Sequence, residues 1–158
     1  MKSKIIIGHK DFADFPEFNI ENIKIKMDTG AYTSSIHCHD IEECLVDGNK
    51  MIKFDLLDPG HELYNNESFK THRYKEKKIK NSFGATEKRF IIFSTIILFG
   101  KQYPIELSLS ERGDMKFPVL IGRKLLKGKF IVDSAKYDLS YKAKLKEQKI
   151  ILTPLTEK

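Results

Sequence analysis

The sequence predicts an all-β fold, and three features of the chain lead to that prediction. Its apolar segments are short and rich in Ile, Phe, Val and Thr, residues that favour strands. Glycine, proline and asparagine interrupt these segments in the manner of turns. The apolar periodicity shows no long amphipathic helix. At 158 residues with 41% apolar content, the chain is expected to form one domain, residues 1–158, whose core needs no metal or disulfide support.

The N-terminal part of the chain is predicted to contain three strands. Ile5 to Gly8, Ile23 to Met27 and Thr33 to His39 are apolar-rich runs of strand length. Asp11 to Asn19 contains Pro16, which cannot donate a hydrogen bond to a sheet, so this segment is predicted to be a connection. We therefore expect the order strand, connection, strand, strand.

A hairpin is predicted in the next part, because Asp47-Gly48-Asn49 separates two strand-like runs. An Asp-Gly pair favours a tight turn in which both residues have positive φ. The flanking strands are Glu43 to Val46 and Met51 to Leu57. Asp58 to Glu67 is then predicted to be an exposed loop, and Phe69 to Lys80 a lysine-rich strand.

The C-terminal half is predicted to contain a second hairpin and several shorter elements. In chain order these are a turn tip at Asn81 to Ala85, strands at Arg89 to Phe99 and Tyr103 to Leu109 joined at Gly100-Lys101, a buried strand at Pro118 to Gly122, one helical turn at Arg123 to Leu126, a strand at Lys129 to Asp133, and one or two terminal strands within Lys136 to Pro154.

The motif Asp28-Thr29-Gly30-Ala31 carries the chemistry that the sequence predicts. A strand that delivers an Asp into a Thr-Gly turn is how aspartic peptidases build a catalytic carboxylate. Thr29 can lock the turn through its hydroxyl, Gly30 lets the backbone N–H approach the carboxylate, and Ala31 is small enough for close packing. The motif occurs once in the chain. A second carboxylate must then come from another molecule, which predicts a homodimer.

Two carboxylates that share one proton can hydrolyse a peptide bond without a metal or a covalent intermediate. One carboxylate activates a water molecule as general base, and the other protonates the carbonyl oxygen. At a separation of about 3 Å the two like charges cannot both ionise, so the pair holds one proton and titrates as a unit. Asp28 from each subunit is the predicted pair.

These residues resemble a known family. Ile25 to Ala31 resembles the active-site strand of retropepsins, and Val119 to Leu126 resembles their second signature, in which two apolar residues precede Gly-Arg and a short helix. More closely, the chain is similar to a bacterial retropepsin-like family that was long labelled a putative ATP-dependent zinc protease and is associated with glutamate ligases of the RimK type. The similar segments are Lys26 to Ala31 with Thr33 to Ser35, Met115 to Arg123, and Phe130 to Asp133.

The resemblance implies a retropepsin-like (acid protease) closed β-barrel lobe with one short helix after Gly122-Arg123. It implies that Asp28 is catalytic and that Gly122 and Arg123 support the active-site turn. Retropepsins usually follow this turn with an Asp that pairs with the signature Arg, whereas Tyr32 stands at that position here. Arg123 therefore needs another partner, for which Asp133 and a carboxylate of the second subunit are both candidates.

The resemblance also implies a flap that closes over the substrate. The hairpin tip containing Ser82, Phe83, Gly84 and Ala85 lies between the two signatures and offers a flexible glycine with backbone groups for an extended peptide. A mobile lid of this kind would exclude water and align the scissile bond. An ordinary β-turn with no role in substrate binding is the alternative interpretation.

The residues do not support the older label of the family. The chain contains no His-Glu-x-x-His helix and no glycine-rich phosphate loop that ends in Lys-Ser or Lys-Thr. The zinc ligands that remain are His37, Cys38, His39 and Cys44. On a strand, His37 and His39 share one face while Cys38 points away, so the four are not expected to converge. We expect no metal and no cofactor.

Charge and cysteine content give expectations about partners and location. The net charge of +6 favours acidic or glutamate-rich peptides as substrates. The densest basic run, Lys70 to Lys80, is interpreted as a solvated lysine-rich face, and nucleic-acid binding is not expected because arginines and interleaved aromatics are sparse. The sequence shows no export signal, no membrane span and only two cysteines, so a cytoplasmic protein is predicted.

The sequence leaves a second function open. A non-catalytic module on the same fold could hold a peptide or an acidic tail in its cleft without cutting it. Tyr32, in place of the usual Asp, and the basic charge both fit this alternative.

Overall fold

The computed structural model describes residues 3–80, 83–111 and 116–152. In these ranges the chain forms eleven strands, one 3₁₀ turn at Pro16–Phe18 and two helices. The strands are β1 Ile5–Gly8, β2 Lys10–Phe15, β3 Ile20–Met27, β4 Ser34–Val46, β5 Asn49–Leu56, β6 Ser68–Thr71, β7 Tyr74–Lys80, β8 Thr86–Leu98, β9 Lys101–Ser110, β10 Val119–Ile121 and β11 Phe130–Asp133, and the helices are α1 Arg123–Leu126 and α2 Leu139–Leu152.

Six strands close into a ring in the order β10, β3, β2, β8, β9 and β4. The short strand β10 closes it, because β10 pairs in parallel with β3 and antiparallel with β4. Strands β5 and β6 extend the sheet beyond β4, and β7 pairs with β8. A separate parallel pair is formed by β1 and β11. The predicted all-β, retropepsin-like closed lobe with one short helix after Gly122-Arg123 is confirmed.

Apolar side chains from the ring strands fill one shared core. Alternate residues of β3 point inward, as a strand with one solvated face requires, so Ile23 and Ile25 are fully buried while Lys24 and Lys26 are exposed. Aromatic residues close one end of this core, where the ring of Phe18 packs edge-on against Phe54 and Phe69. Burial of these side chains is the main source of stability.

Both predicted hairpins are present. Asp47 and Gly48, with φ of 52° and 80°, connect β4 to β5, and Phe99 and Gly100, with φ of 53° and 72°, connect β8 to β9. Positive φ at both central residues produces the turn twist that matches the twist of antiparallel strands. The second turn lies one residue earlier than the predicted Gly100-Lys101.

The predicted connection at Asp11 to Asn19 is wrong over its first half, which forms β2. The inward-facing residues of β2 are Asp11, Ala13 and Phe15. A buried aspartate in this series conceals the alternation of apolar and polar residues from which a strand would be predicted.

The predicted break between Thr33 to His39 and Glu43 to Val46 is also wrong. Both segments belong to β4, which continues through an irregularity between His39 and Glu42 in its pairing with β5. The lysine-rich segment Phe69 to Lys80 shows the opposite error. It was predicted as one strand, but it divides into β6, which pairs with β5, and β7, which pairs with β8.

The terminal strands predicted within Lys136 to Pro154 are wrong, because this segment forms helix α2. Polar contacts attach the helix to β2: Lys144 Nζ lies 2.9 Å from Asp14 Oδ2, and the backbone N–H groups of Ser140 and Tyr141 donate to the carboxylate of Asp11. A helix anchored by its N-terminus and by an ion pair needs no apolar stripe, so the sequence shows no helical period.

We expect Asp11→Ala to lower the free energy of unfolding by about 1–3 kcal/mol, because it leaves two N–H groups at the start of α2 without their acceptor. Asp11→Asn keeps an acceptor oxygen and is expected to lose less. Urea unfolding of the three proteins measures both effects. Equal stability of Asp11→Ala and the unaltered chain would contradict this role.

The same carboxyl makes a pH-dependent contribution. Burial raises the pKa of Asp11, against the lowering effect of its backbone hydrogen bonds. With a folded pKa above the unfolded value of about 3.8, the folded state binds the proton more tightly, so the contribution of Asp11 is largest in acid and falls as pH rises through the raised pKa. The difference in unfolding free energy between the unaltered chain and Asp11→Asn should therefore fall as pH rises through the raised pKa of Asp11.

Gly122 lies where β10 passes beneath the chain that leads into β4. A Cβ atom at this position would lie 2.6 Å from the carbonyl oxygen of Tyr32 and 2.8 Å from the carbonyl carbon of Thr33, both backbone atoms that cannot move independently. We expect Gly122→Ala to destabilise the fold by about 1–3 kcal/mol. Gly60→Ala is the matched control, since nothing lies within 4 Å of its added Cβ atom. Equal melting temperatures of the two variants would contradict the expectation.

Candidate functional site

Asp28 follows β3 at the point where β3 and β10 run side by side. Met27 is paired with Ile121, and the N–H of Asp28 donates to the carbonyl of Ile121 at 2.8 Å. The end of β3 is therefore held by the ring that encloses the core. Asp28 is half-buried, with Thr29 and Gly30 exposed beside it.

Hydrogen bonds inside the turn orient the Asp28 carboxylate. The N–H of Gly30 donates to Asp28 Oδ1 at 3.2 Å, as predicted for a glycine that lets the backbone approach, and the N–H of Ala31 donates to the Asp28 carbonyl at 3.1 Å. One carboxylate oxygen is thus positioned by the backbone, and the side chain lies at the surface of the lobe.

Helix α1 secures the far side of the turn. The N–H groups of Arg123 and Lys124 donate to the carbonyls of Ala31 and Tyr32 at 2.8 Å and 2.9 Å. The N–H of Gly122 donates to the hydroxyl of the buried Ser34 at 3.0 Å. The start of α1 and the active-site turn therefore satisfy each other's backbone groups.

The side chain of Arg123 also binds this turn. Its Nη1 donates to the carbonyl of Thr29 at 2.9 Å, and its guanidinium carbon lies 5.9 Å from the ring centre of Tyr32. Asp133, which was one candidate partner for Arg123, instead accepts from the N–H of Ala135 at 2.9 Å as a turn residue. A cation–π contact with Tyr32 thus stands where the resemblance implies an ion pair with Asp.

The predicted flap coincides with a real hairpin. Strands β7 and β8 pair antiparallel from Tyr74↔Ile92 to Lys80↔Thr86. At its tip Phe83 is 94% exposed and Gly84 has a φ of 82°. Ala85 immediately precedes β8, whereas Ser82, the remaining predicted flap residue, lies outside the described residues.

A basic surface precedes Asp28, and sequence reasoning missed it. Lys24 and Lys26 lie on the solvated face of β3, and Lys26 is directly paired with Lys10 of β2. These lysines and Lys116 line a cavity of about 350 Å³. Asp138 also lines this cavity, and its Oδ1 lies 4.0 Å from Lys10 Nζ, which partly offsets the like charges that face each other on the sheet. The alternation of Ile and Lys in β3 is the sequence signal for this surface.

The residues considered as zinc ligands in the sequence have different environments. Cys38 is buried in the apolar core, and burial raises the pKa of its thiol to about 12. A thiol held neutral in this way is a poor metal ligand. His37 is buried, and its Nε2 lies 3.0 Å from Asp58 Oδ2. Cys44 is opposite Met51 on the β4–β5 hairpin.

Side chains of the lysine-rich strand β7 form ion pairs with neighbouring strands. Lys75 Nζ lies 2.8 Å from Glu106 Oε1, and Glu76 lies 3.4 Å from Lys88.

Among the helices of the described residues, none has both the length and the apolar character to cross a membrane.

Comparison with known proteins places these features in a family. Residues 6–143 match the family described as RimB-like, retropepsin-like aspartic endopeptidase RimB. The chain is 26% identical to a Legionella pneumophila protein of unknown function (DUF785) whose crystal structure is known, with a TM-score of 0.69 and coverage of 87% of this chain and 99% of that one.

Curated relatives are longer proteins named probable alpha-L-glutamate ligase. The chain is 32% identical to the one from Parasynechococcus marenigrum, over 84% of this chain and 28% of the relative. It is 35% identical to the one from Desulfotalea psychrophila, over 84% of this chain and 29% of the relative. The chain thus spans less than a third of the length of these relatives. On the family match over residues 6–143, it belongs to the RimB-like family of retropepsin-like aspartic endopeptidases.

Proposed function

We propose that this chain is an aspartic endopeptidase that acts as a homodimer, with Asp28 of each subunit forming the catalytic pair. The observation that carries the proposal is the Asp28 turn, in which backbone hydrogen bonds from Gly30 and to Ile121 hold a surface carboxylate in place. Membership of a retropepsin-like aspartic endopeptidase family supports it.

The need for a second subunit follows from chemistry. One carboxylate cannot both remove a proton from water and protonate the carbonyl oxygen, and the sequence contains one Asp-Thr-Gly. In the proposed dimer, the ionised Asp28 takes a proton from water as the water attacks the scissile carbonyl. The protonated Asp28 of the other subunit donates its proton to the carbonyl oxygen. Collapse of the tetrahedral intermediate, with proton transfer to the amine, releases the two peptides.

The flap would complete this site. Ser82, Phe83, Gly84 and Ala85 form the proposed lid, in which Gly84 supplies a positive φ that glycine adopts at low cost. Phe83 would cover the bound peptide and exclude water from the reacting groups.

Acidic peptides are the substrate class that we propose. Lys24 and Lys26 lie on the solvated face of the strand that leads into Asp28, and Lys26 is two residues before Asp28. An extended acidic peptide crossing the turn would meet these ammonium groups. The relatives named probable alpha-L-glutamate ligase include a segment similar to this chain, which supports a substrate rich in glutamate.

We expect Asp28→Asn to reduce cleavage of an acidic peptide by about a hundredfold to ten-thousandfold, the usual contribution of general acid–base catalysis. Asn fills the same space and keeps an oxygen for the N–H of Gly30, so the melting temperature should change little. Asp47→Asn, in the β4–β5 turn, is the matched control and should cleave normally.

The same variant tests the dimer. When the unaltered chain is mixed with an excess of the Asp28→Asn chain, hybrid dimers should form. The activity per unaltered chain should then fall. Activity proportional to unaltered chain alone would overturn the dimeric site. The non-catalytic binding module would be established instead if the unaltered chain bound the peptide without cleaving it and the Asp28→Asn chain bound it with equal affinity.

Lys26→Gln should lower kcat/KM for an acidic peptide roughly fivefold, about the value of one surface charge pair near 4 Å in water. The effect should shrink with added salt, and a neutral peptide should be cleaved equally by both proteins. Lys101→Gln, at the distant β8–β9 turn, provides the control. Equal losses on acidic and neutral peptides would contradict charge recognition.

A further inference from the structure

A mixed cluster of histidine and aspartate lies on β4 and β5, outside the Asp28 turn. We propose that His39, Asp40 and Asp55 form a binding site for a divalent transition-metal ion, and that Zn²⁺ is the ion best matched to their donors. One ligand atom from each of the three residues lies within 4.8 Å of the other two. None of the three has a part in the proposed peptide cleavage, so the two proposals fail or stand separately.

The distances suit a metal with short bonds. His39 Nε2 lies 3.7 Å from Asp55 Oδ2 and 3.8 Å from Asp40 Oδ2. Ligand atoms of a tetrahedral zinc site, with bonds of about 2.0–2.1 Å, are roughly 3.3 Å apart. The two His39–carboxylate distances would have to shorten by about 0.4–0.5 Å, and the carboxylate oxygens of Asp40 and Asp55, which lie within 4.8 Å of each other, would also have to approach.

The irregularity in β4 places Asp40 in this cluster. On a regular strand, consecutive side chains such as those of His39 and Asp40 point to opposite faces. Here Asp40 has a φ of 53°, and the pairing of β4 with β5 shifts register between His39 and Glu42. Bulges of this kind redirect a side chain and are frequent beside functional sites. The result is that Asp40 approaches the same imidazole nitrogen as Asp55.

Neighbouring groups lie beside two of the three ligands, His39 and Asp55. Asp58 Oδ1 lies 3.5 Å from the buried Nδ1 of His39, on the opposite side of the ring from Asp40 and Asp55. The two atoms are not hydrogen-bonded at this distance, and a closer approach of Asp58 would give the carboxylate–histidine–metal arrangement that fixes a ligand imidazole. The hydroxyl of Ser68 donates to Asp55 Oδ1, which leaves Asp55 Oδ2 facing His39.

The charge of the cluster favours a cation. Asp40 and Asp55 place two carboxylates beside Nε2 of His39, and Asp58, whose Oδ2 also lies 3.0 Å from His37 Nε2, is on the other side of the ring. A divalent ion would offset the negative charge of Asp40 and Asp55. Imidazole nitrogen with carboxylate oxygens selects zinc and its transition-metal neighbours over Mg²⁺ and Ca²⁺, which prefer oxygen alone. With three protein ligands, water would occupy the fourth position, and the ion would clamp the irregular part of β4 to β5.

Calorimetric titration of the full, metal-free chain with Zn²⁺ and with Mg²⁺ tests the site. We expect one Zn²⁺ per chain and much weaker binding of Mg²⁺. His39→Gln and Asp55→Asn should each weaken Zn²⁺ binding by more than about a hundredfold, and Asp58→Asn by about tenfold to a hundredfold, the range for loss of an outer partner. His72→Gln and Glu42→Gln, an exposed histidine and a neighbouring carboxylate on β4, should bind as the unaltered chain does.

Circular dichroism of each metal-free variant verifies its fold before titration. Substitution by Co²⁺ provides a second measurement: nitrogen and oxygen ligands give visible d–d absorption without the thiolate charge-transfer band that Cys44 would add. The proposal is overturned if Zn²⁺ does not bind, if all variants bind it equally, or if binding is lost in Cys44→Ser and retained in His39→Gln.

Discussion

The parallel pairing of β3 with β10 is the constraint on which the rest of the structure depends. It aligns Met27 with Ile121, and the hydrogen bond from the N–H of Asp28 to the carbonyl of Ile121 extends the ladder by one residue into the turn. Because β10 also pairs with β4, the same three residues close the ring of strands. The position of the Asp28 carboxylate and the closure of the ring thus both depend on the backbone of β10.

Close backbone approach makes this arrangement possible. Gly122 lets β10 pass beneath Tyr32 and Thr33, and α1 then begins at once and donates its first N–H groups to the turn carbonyls. The side chain of Arg123 adds a charged hydrogen bond to the carbonyl of Thr29. In a turn held by so many backbone groups, an aromatic ring at Tyr32 can replace a carboxylate without loss of the Arg123 anchor.

Elements with a strong local signal in the sequence could be predicted, and elements held by distant partners could not. The β4–β5 hairpin was predictable because Asp47-Gly48 can adopt two consecutive positive φ angles at low cost. Strand β2 was not predictable from apolar alternation, since its inward face includes Asp11, whose carboxylate binds the start of α2. Helix α2 was missed for the complementary reason, because its partners are the carboxylates of Asp11 and Asp14 in place of an apolar groove.

The sequence by itself determined the family, the strand-rich class and the Asp28 turn, because the two signatures, the apolar alternation and the turn motif each lie in short continuous segments. Only the tertiary structure decided which groups meet across the sheet. The partner of Arg123, the basic surface around Lys26 and the approach of His39 to Asp55 all join distant segments. Their positions depend on strand register and on one irregularity in β4, and neither leaves a periodic pattern in the sequence.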